Sequence, residues 1–464
     1  MTATAAASGL LGEAPPSPAG PIGDDERRTL PEPPWVSGPR ALQVLRFNQR
    51  QHSFVFRARR ELGEVWRMRA IIPGCPAVTS HPDHVRSLFT AKPEHAPSLT
   101  AESPLRPIVG SASVLTAQGT RHLRQRKLLL PPFHGEAIAR YADMIADVTE
   151  RELSSWPVGE PIALAPRMQA ITLDVIMSAV FGIEGVPAKG TPEHRLRRAT
   201  RAVLDASTKP LAQVGELANI GRAEPVGPTK VALGFLDRPA YRVIAQRRGA
   251  ADLEDRRDIL SMLLLARTEE GEALDDREVR DELLTLVLAG HETTANQLAW
   301  TWERLVRTPA AYERLRAAVD GPAAAEEVEA VITEAMRSRP VIPIVGRRVQ
   351  LPWRLGEYAV PAGTPISMSV LLIHHREDVY PDPYGFRPER WHGGRPGTYA
   401  WLPCGGGTRR CLGAALAMAE MRVVLEAMAR RLDLEAVEPE PERPLHRNVT
   451  MIPAQGGRVV LRRR

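Results

Sequence analysis

Two of the chain's three cysteines lie in one glycine-rich loop, WLPCGGGTRRCLG, between Trp401 and Gly413. Phosphate binding is disfavoured, because a phosphate-cradling loop needs a Lys followed by Ser or Thr after its glycines. A structural zinc site is also disfavoured, since it needs about four Cys or His ligands, commonly in close pairs. Cys404 and Cys411 are seven residues apart, and the sequence contains no Cys-x-x-Cys pair.

A cysteine in such a loop can ligate a haem iron through its thiolate. That thiolate needs a tight turn at a helix start, where the helix N-terminus stabilises negative charge and small residues let the backbone approach the macrocycle. Cys411 precedes a helical pattern over 412–432 and follows Gly405, Gly407 and Arg409. A nucleophilic cysteine would need a nearby His base, which nothing in the sequence supports. The loop alone leaves open an ordinary buried cysteine in a turn.

A second group of reactive residue types lies in the segment AGHETT, from Ala289 to Thr294. Glu292 and Thr293 form an acid–alcohol pair of the kind that relays protons, and Ala289 and Gly290 are small enough for a ligand to approach closely. A zinc-protease motif, His-Glu-x-x-His, is excluded, because alanine occupies the position of the second histidine. A hydrogen-bonded structural network remains the alternative, since buried polar groups need partners.

Helical patterns surround both groups and predict the elements that position them. The AGHETT segment lies in one predicted helix of about thirty residues, 276–306, whose middle is apolar on nearly all sides, as in a central helix. Short strands are predicted at 65–71, 76–80 and within 353–370. Together the patterns predict a mainly α protein with a minor β part. Further helices are predicted over about 119–129, 135–155, 165–182, 193–208 and 323–338.

The organisation of the chain is predicted to be simple. Residues 1–34 are rich in Ala, Pro and Gly without an apolar period, which predicts a flexible tail. No internal repeat or composition break follows, so residues 35–464 are expected to form a single domain. The irregular stretch from Lys209 to Lys230 is interpreted as a mobile lid.

The composition excludes several classes of protein. Apolar residues make up 43% and charged residues 25%, as in ordinary globular chains. No stretch approaches the roughly 18 apolar residues of a membrane-spanning helix, the N-terminus is a poor signal peptide, and three cysteines are too few for a disulfide framework. We therefore expect a cytoplasmic protein without a membrane anchor. The net charge of +6 is spread along the chain, so nucleic-acid binding is not expected.

The loop resembles the haem-binding signature of the cytochrome P450 family, Phe-x-x-Gly-x-Arg-x-Cys-x-Gly. Cys404 stands where the family has Phe. AGHETT is similar to the family's oxygen-activating helix motif, and EAMR, from Glu334 to Arg337, to its Glu-x-x-Arg. These motifs occur in the family's order, and the resemblance extends from about residue 40 to the C-terminus. The chain looks most like soluble actinobacterial members. The loop matches the signature at Gly407, Arg409, Cys411 and Gly413.

The resemblance implies the family's fold, with haem b between the long central helix (276–306) and the Cys411 loop. Cys411 would be the axial ligand of the iron. Ala289 and Gly290 would face the other side of the haem, with Gly405 and Gly407 giving close approach on the ligand side. The register between Arg347 and Arg348 is open. The haem propionates would bind His122, Arg126, Arg409 and Arg347.

Other residues receive roles from the same resemblance. Glu292 and Thr293 would deliver protons. A buried structural network would join Glu334 and Arg337, which lie on one helix face, to Arg390. A surface ion pair of little energetic value is the alternative for Glu334 and Arg337. Cys404 is expected to be a spectator thiol.

The implied activity is a monooxygenase that inserts one oxygen atom of O₂ into a lipophilic small molecule. A separate ferredoxin and ferredoxin reductase would supply electrons, because the chain shows no nicotinamide or flavin fingerprint and too few cysteines for an iron–sulfur cluster. Basic residues around Arg124, Arg410 and Arg422 could form the docking patch, and the protein is expected to be a monomer. Two alternatives stay open: a peroxide-using or redox-neutral haem-thiolate enzyme, and a non-catalytic haem- or gas-binding protein.

Overall fold

The computed structural model describes residues 11–69, 74–103, 105–183, 185, 187–207, 219, 221–268, 271–447 and 449–463. Helices dominate these residues, as the sequence predicts. The first eight are α1 Asp24–Thr29, α2 Arg40–Leu62, α3 Pro82–Phe89, α4 Arg106–Val109, α5 Gly119–Leu129, α6 Glu136–Ser154, α7 Leu164–Phe181 and α8 Pro192–Ser207. The others are α9 Gly227–Arg248, α10 Ile259–Leu265, α11 Asp276–Leu305, α12 Pro309–Ala318, α13 Ala324–Ser338, α14 Val370–Ile373 and α15 Ala414–Arg431.

Small sheets make up the minor β part of the described chain. The strands are β1 Ala19–Pro21, β2 Val65–Arg67, β3 Ala77–Thr79, β4 Pro161–Ala163, β5 Ile344–Arg348, β6 Trp353–Leu355, β7 Tyr358–Val360, β8 Pro365–Ser369, β9 Leu432–Ala436, β10 Pro444–Arg447, β11 Thr450–Pro453 and β12 Arg458–Arg463. They form sheets of order β2-β3-β8-β5, β1-β6-β7, β4-β12-β9 and β10-β11. Only β3 and β8 pair in parallel among them. β5 thus lies at a sheet edge, where its side chains can reach a neighbouring site.

The central helix is α11, which confirms the predicted helix of about thirty residues. Its start is fixed by a capping box, in which the Asp275 carboxylate accepts the Glu278 N–H and the Glu278 carboxylate accepts the Asp275 N–H. α7 packs along it, and the Thr172 hydroxyl donates to the backbone carbonyl of His291 at 3.0 Å. The main hydrophobic core surrounds both helices. The AGHETT segment is therefore held on a rigid element in the middle of the protein.

The N-terminal segment differs from the predicted flexible tail. β1 pairs antiparallel with β6, and the Gly12 N–H donates to the carbonyl of Val379 at 2.8 Å. The Ser17 N–H donates to the Asp83 carboxylate at 3.0 Å. The prediction is wrong for residues 11–34, because strand pairing through the backbone needs no apolar period; residues 1–10 lie outside the described part.

Within the described part of the chain, one helix, α7, is long and apolar enough to cross a membrane by length and composition, contrary to the expectation that no segment is. Two thirds of it, 67%, is buried inside the protein. Its packing against α11 and the core accounts for this apolar composition, since a helix buried on most sides has no polar face.

Two further sequence interpretations can be compared with the structure. The region 353–370, where the sequence predicts short strands, holds the three strands β6 to β8. A tight turn around Gly356 (φ +66°) separates β6 from β7. Half of the interpreted lid, Lys209 to Lys230, lies outside the described residues. Its last part, from Gly227 onward, begins α9, a helix that the sequence patterns did not predict.

Candidate active site

A cavity of about 1170 Å³ lies between α11 and the Cys411 loop. Its lining is mainly apolar and comes from α11, α5, β5, the segment 98–115 and the loop that carries both cysteines. A cavity of this size is larger than most small-molecule sites need. It brings nearly every predicted site residue to one place: Glu292, Thr293, Ala289, Gly290, Cys411, Gly405, Arg409, His122, Arg126 and Arg347.

The loop presents Cys411 to this cavity just before α15. A short 3₁₀ turn, Gly407–Arg409, precedes the cysteine, and the Cys411 N–H donates to the Cys404 carbonyl at 3.0 Å. A hydrogen bond from the Cys404 thiol lowers the pKa of Cys411 to about 7, although burial opposes the shift. The Gly413 N–H acts in the same direction. The loop therefore stabilises a thiolate at Cys411 before any metal is considered.

Glycine is required at the positions of the loop for two different reasons, backbone conformation and close packing. Gly405 and Gly407 adopt φ values of +65° and +64°, which L side chains rarely adopt. Gly405 and Gly406 line the cavity, whereas Gly407 does not. A Cβ at Gly407 would come within 2.4 Å of the Phe89 carbonyl oxygen. Gly407 thus packs on the end of α3, and its approach to a cofactor stays a prediction; Gly406 also packs on Phe89 and lines the cavity.

Four basic side chains meet at one edge of the cavity, as the sequence predicts. The Arg409 guanidinium donates to the carbonyls of Val114 and Leu115, at 3.2 and 3.3 Å, and to that of Ala117. Arg126 donates to the Arg410 carbonyl at 2.7 Å. No Asp or Glu of the described chain forms an ion pair with His122, Arg126, Arg347 or Arg409.

The pKa values of this group reflect burial and mutual repulsion. Burial, together with Arg409 and its basic neighbours, lowers the pKa of His122 to about 4. Burial and the charge of Arg409 lower the pKa of Arg347 to about 10. Burial and Arg126 lower the pKa of Arg409 to about 10. The guanidinium groups of Arg126, Arg347 and Arg409 thus form a positive edge without a carboxylate partner in the described chain, which suits an anionic ligand.

The structure also decides between Arg347 and Arg348. Arg347 is 7% exposed, lines the cavity and lies over the Phe89 ring at 5.0 Å. Arg348 points the other way along β5 and forms an ion pair with Glu102. Alternation of side chains along a strand separates the two neighbours.

The α11 side of the cavity is formed by Ala289, Gly290, Glu292 and Thr293. The Thr293 hydroxyl donates to the Ala289 carbonyl at 2.6 Å, within the helix. A Cβ at Gly290 would lie 3.0 Å from Cδ1 of Ile176, so this glycine also serves the close packing of α7 on α11. Thr293 thus holds a hydroxyl at the cavity surface opposite the cysteine loop.

Glu292 has a partner that the sequence did not indicate. Arg447, at the end of β10, donates to the Glu292 carboxylate through Nε at 3.0 Å and through a second guanidinium nitrogen. The Thr450 hydroxyl of β11 is 3.4 Å from the same oxygen. The C-terminal hairpin therefore holds the acid of the predicted acid–alcohol pair in an ion pair at the cavity wall.

Behind the cysteine loop, Glu334, Arg337 and Arg390 form a fully buried network. Arg337 binds both Glu334 oxygens at 2.8 Å, and Arg390 reaches the same carboxylate at 3.2 Å. All three side chains are at most 1% exposed, which excludes the surface-pair alternative. Arg337 also donates to the carbonyl of His374, whose Nε2 accepts the Leu402 N–H at 2.7 Å. The network therefore anchors the start of the cysteine loop.

Comparisons with known proteins agree with this arrangement. The defining pattern of the family described as "Cytochrome P450" matches residues 30–460. The chain belongs to the cytochrome P450 family. It is 37% identical over 433 residues to cytochrome P450 138 of Mycobacterium tuberculosis, covering 93% of this chain and 96% of that protein. It is 38% identical over 406 residues to cytochrome P450 137 of the same species, covering 87% and 84%.

A solved structure shares the fold. The retinoic acid-bound cyanobacterial CYP120A1 superposes with a TM-score of 0.78, covering 94% of this chain and 100% of that one at 22% identity. The protein is thus a P450 monooxygenase with the mainly α P450 fold, and its cofactor is haem b. The suspected family and the predicted fold class are confirmed.

The residues present fit a haem. The apolar cavity offers a cysteine of lowered pKa on one side and a small-residue helix surface on the other. The arginines at its edge have no carboxylate partner among the described residues, and the two carboxylates of a haem would supply one. Several lining residues received no role from the sequence patterns, because only the tertiary fold brings them here; Arg106, Glu420 and Arg447 are charged examples.

Proposed function

We propose that this P450 hydroxylates a lipophilic small molecule in the 1170 Å³ cavity, with Cys411 as the axial ligand of the haem iron. One observation carries the proposal. Cys411 and Thr293 face the same apolar cavity from opposite elements, and a group of cations without carboxylate partners in the described chain closes its edge. Such an arrangement suits a flat dianionic cofactor with an apolar substrate above it.

The proposed roles follow from where each side chain lies. Cys411 would ligate the iron, His122, Arg126, Arg347 and Arg409 would bind the propionates, and Gly405 with Gly406 would let the loop approach. When bound, the haem would supply the site at which O₂ is activated; the two electrons and two protons of that reaction come from elsewhere. The apolar lining would exclude bulk water and hold the substrate by burial of its surface.

Proton supply is assigned to Thr293 and Glu292. The Thr293 hydroxyl, fixed by its bond to the Ala289 carbonyl, can pass a proton at the cavity surface. Glu292 rests in its ion pair with Arg447, so it must exchange that partner before it can carry a proton. The Arg447 pair would thereby hold the Glu292 carboxylate toward the hairpin between turnovers.

We further propose that a ferredoxin and its reductase deliver the electrons and that the protein is a cytoplasmic monomer built as one domain, to which the segment 11–34 belongs through the pairing of β1 with β6. Of the three basic residues considered for docking, Arg124 and Arg422 already pair with Glu272 and Glu329. Arg410 is exposed next to the cysteine, which makes it the strongest candidate for contact with an acidic donor.

The reduced, CO-bound absorption spectrum tests the central assignment. The wild type should show the long-wavelength band of a thiolate-ligated haem. Cys411→Ala should lose it, whereas Cys404→Ala should keep it, because only one of the two sulfurs is the ligand. Survival of the band in Cys411→Ala would sink the assignment.

The alternatives are separated by comparing electron sources. Product that forms with reduced ferredoxin and O₂ supports the monooxygenase. Product that forms only with peroxide, or without any electron donor, would establish the peroxide-using or redox-neutral enzyme. Ligand binding without turnover in every case would indicate a haem- or gas-binding protein.

A further inference from the structure

One wall of the cavity carries an arginine with no assigned role. This wall consists of α4 and the 3₁₀ turn Leu99–Glu102 before it. Arg106, the first residue of α4, lines the cavity and is half-buried. The same wall presents five apolar side chains to the cavity and, between them, the polar residues Ser98, Thr100, Glu102 and Ser103; the apolar ones are Leu99, Ala101, Leu105, Ile108 and Val109.

The other charged groups on this side of the cavity are already compensated. Glu102 binds Arg348 through both of its oxygens, at 2.8 and 2.6 Å. Arg447 is committed to Glu292. Arg106 forms no ion pair with any described residue, so it leaves one positive charge uncompensated in this wall.

The hydrogen bonds of Arg106 are also incomplete. Its guanidinium makes one long contact in the described chain, from Nη1 to the Ala101 carbonyl at 3.4 Å. Its Nε is buried and has no partner among the described residues. A guanidinium offers five N–H donors in a rigid fork, and a carboxylate satisfies two of them at once. The unfilled donors thus match a carboxylate of the cavity's occupant.

The position of α4 separates this arginine from the reacting end of the cavity. α4 packs against α11, where Gly110 lies against Asp281 and the Ala112 N–H donates to the Asp281 carboxylate at 3.1 Å. Asp281 precedes Ala289 by eight residues, about 12 Å of helix. α4 therefore contacts α11 about two turns before Ala289, on the N-terminal side of the reacting end of the cavity.

We infer that Arg106 is a substrate-anchoring residue and that the substrate class is a lipophilic monocarboxylic acid. The carboxylate binds the Arg106 fork, and the hydrocarbon body extends through the apolar cavity toward Thr293. The enzyme then oxidises a carbon remote from the acid group. This inference rests on the proposed function, and it narrows the substrate from any lipophilic molecule to an acid.

Ligand binding tests the inference without any turnover. Lauric acid and methyl laurate are titrated into the haem-loaded protein, and the change of the Soret band gives a Kd for each. Wild type should bind the acid about 10- to 100-fold more tightly than the ester, the range expected for a charged hydrogen-bonded pair. Arg106→Gln should abolish this preference by weakening the acid alone, and Arg106→Lys, which keeps the charge but loses the fork, should fall between.

Arg443→Gln is the matched control, because Arg443 is exposed and does not line the cavity; it should bind like wild type. Equal affinity for acid and ester in wild type, no Soret change with the acid, or equal loss of both ligands in Arg106→Gln would overturn the inference. So would loss of haem from Arg106→Gln, which would make Arg106 a propionate partner. A missing thiolate band in wild type would instead refute the proposed function itself.

Discussion

The Thr293 side chain has two properties that depend on its place in the fold and not only on its residue type. Its hydroxyl faces the cavity, and it is fixed by a 2.6 Å bond to the Ala289 carbonyl. A threonine so placed can hand on protons without moving its backbone. Serine retains the hydroxyl and alanine does not, which gives a direct comparison at one position.

We predict that Thr293→Ala lowers the product formed per reducing equivalent about 10-fold or more, in line with the usual contribution of positioned proton donors. Thr293→Ser should stay near wild type. The measurement compares product, NAD(P)H consumed and peroxide released. Unchanged coupling in Thr293→Ala, with an intact CO spectrum, would contradict the role of the hydroxyl.

Cys404 stands where the family pattern has Phe, and its contacts in the fold show what this cysteine does. The sequence interprets it as a spectator thiol. In the structure its thiol contacts Cys411 and lowers the pKa of that cysteine, while the bond with Cys411 and burial raise the pKa of Cys404 itself well above its usual range. Cys404 is therefore the protonated partner of the Cys411 sulfur.

At the scale of elements, the N-terminal half of α11 holds the loop 110–117 over the cavity. Both oxygens of Glu282 accept the Val114 N–H, at 2.9 and 3.1 Å, and Glu282 is fully buried. Burial raises the pKa of Glu282 to about 8 from its ordinary 4.5. The folded protein therefore keeps a proton that the unfolded chain has released, at every pH between these two values.

This proton predicts the sign of a pH effect on stability. As pH rises from about 4.5 to 8, Glu282 should lower the free energy of unfolding by ~1.4 kcal/mol per pH unit. Glu282→Gln should remove this slope, and the difference between the two proteins should be measured by denaturant unfolding at pH 6, 7 and 8. Glu313→Gln, an exposed control on α12, should leave the slope unchanged. Parallel curves for wild type and Glu282→Gln would contradict the prediction.

The buried network of Glu334, Arg337 and Arg390 links α13 to the cysteine loop. Glu334→Gln would leave two buried guanidinium groups with one neutral partner, so it should lower the free energy of unfolding by about 3 kcal/mol or more. Glu326→Gln, an exposed change on the same helix, should cost less than about 0.5 kcal/mol. Chemical denaturation measures the free energy of unfolding of both variants. Similar values for the two would show that the network does not stabilise the fold.

At the scale of the whole molecule, the cysteine loop lies close enough to the surface for an electron donor to approach. Arg410 is exposed there, one residue from Cys411. We predict that Arg410→Glu raises the apparent KM for ferredoxin several-fold. Added salt should make the KM values of the variant and the wild type more similar, because it screens the charge. Steady-state kinetics with varied ferredoxin test this, with Arg28→Glu on α1 as the control. An equal KM in both variants would place the docking surface elsewhere.

The local parts of the protein could be predicted from its sequence, because helix periodicity and motif spacing are short-range properties. The bounds of α5, α6, α7, α11 and α13 follow the apolar patterns within one or two residues. The loop, the AGHETT segment and the basic helix carry the family motifs, so most residues of the cavity could be named. α9 and the pairing of β1 with β6 were missed, since neither depends on a clear local period.

Only the tertiary structure decided which side chains meet. Arg447 pairs with Glu292 across 155 residues of chain, and Arg106 reaches the cavity through the packing of α4 on α11. The tertiary structure also shows that Arg347 lines the cavity whereas Arg348 pairs with Glu102, and that Gly407 packs against Phe89. Such long-range partners are fixed by packing and charge compensation in three dimensions. The sequence determined the fold, the cofactor and the cysteine loop, whereas the folded chain determined the partners of its acids and arginines.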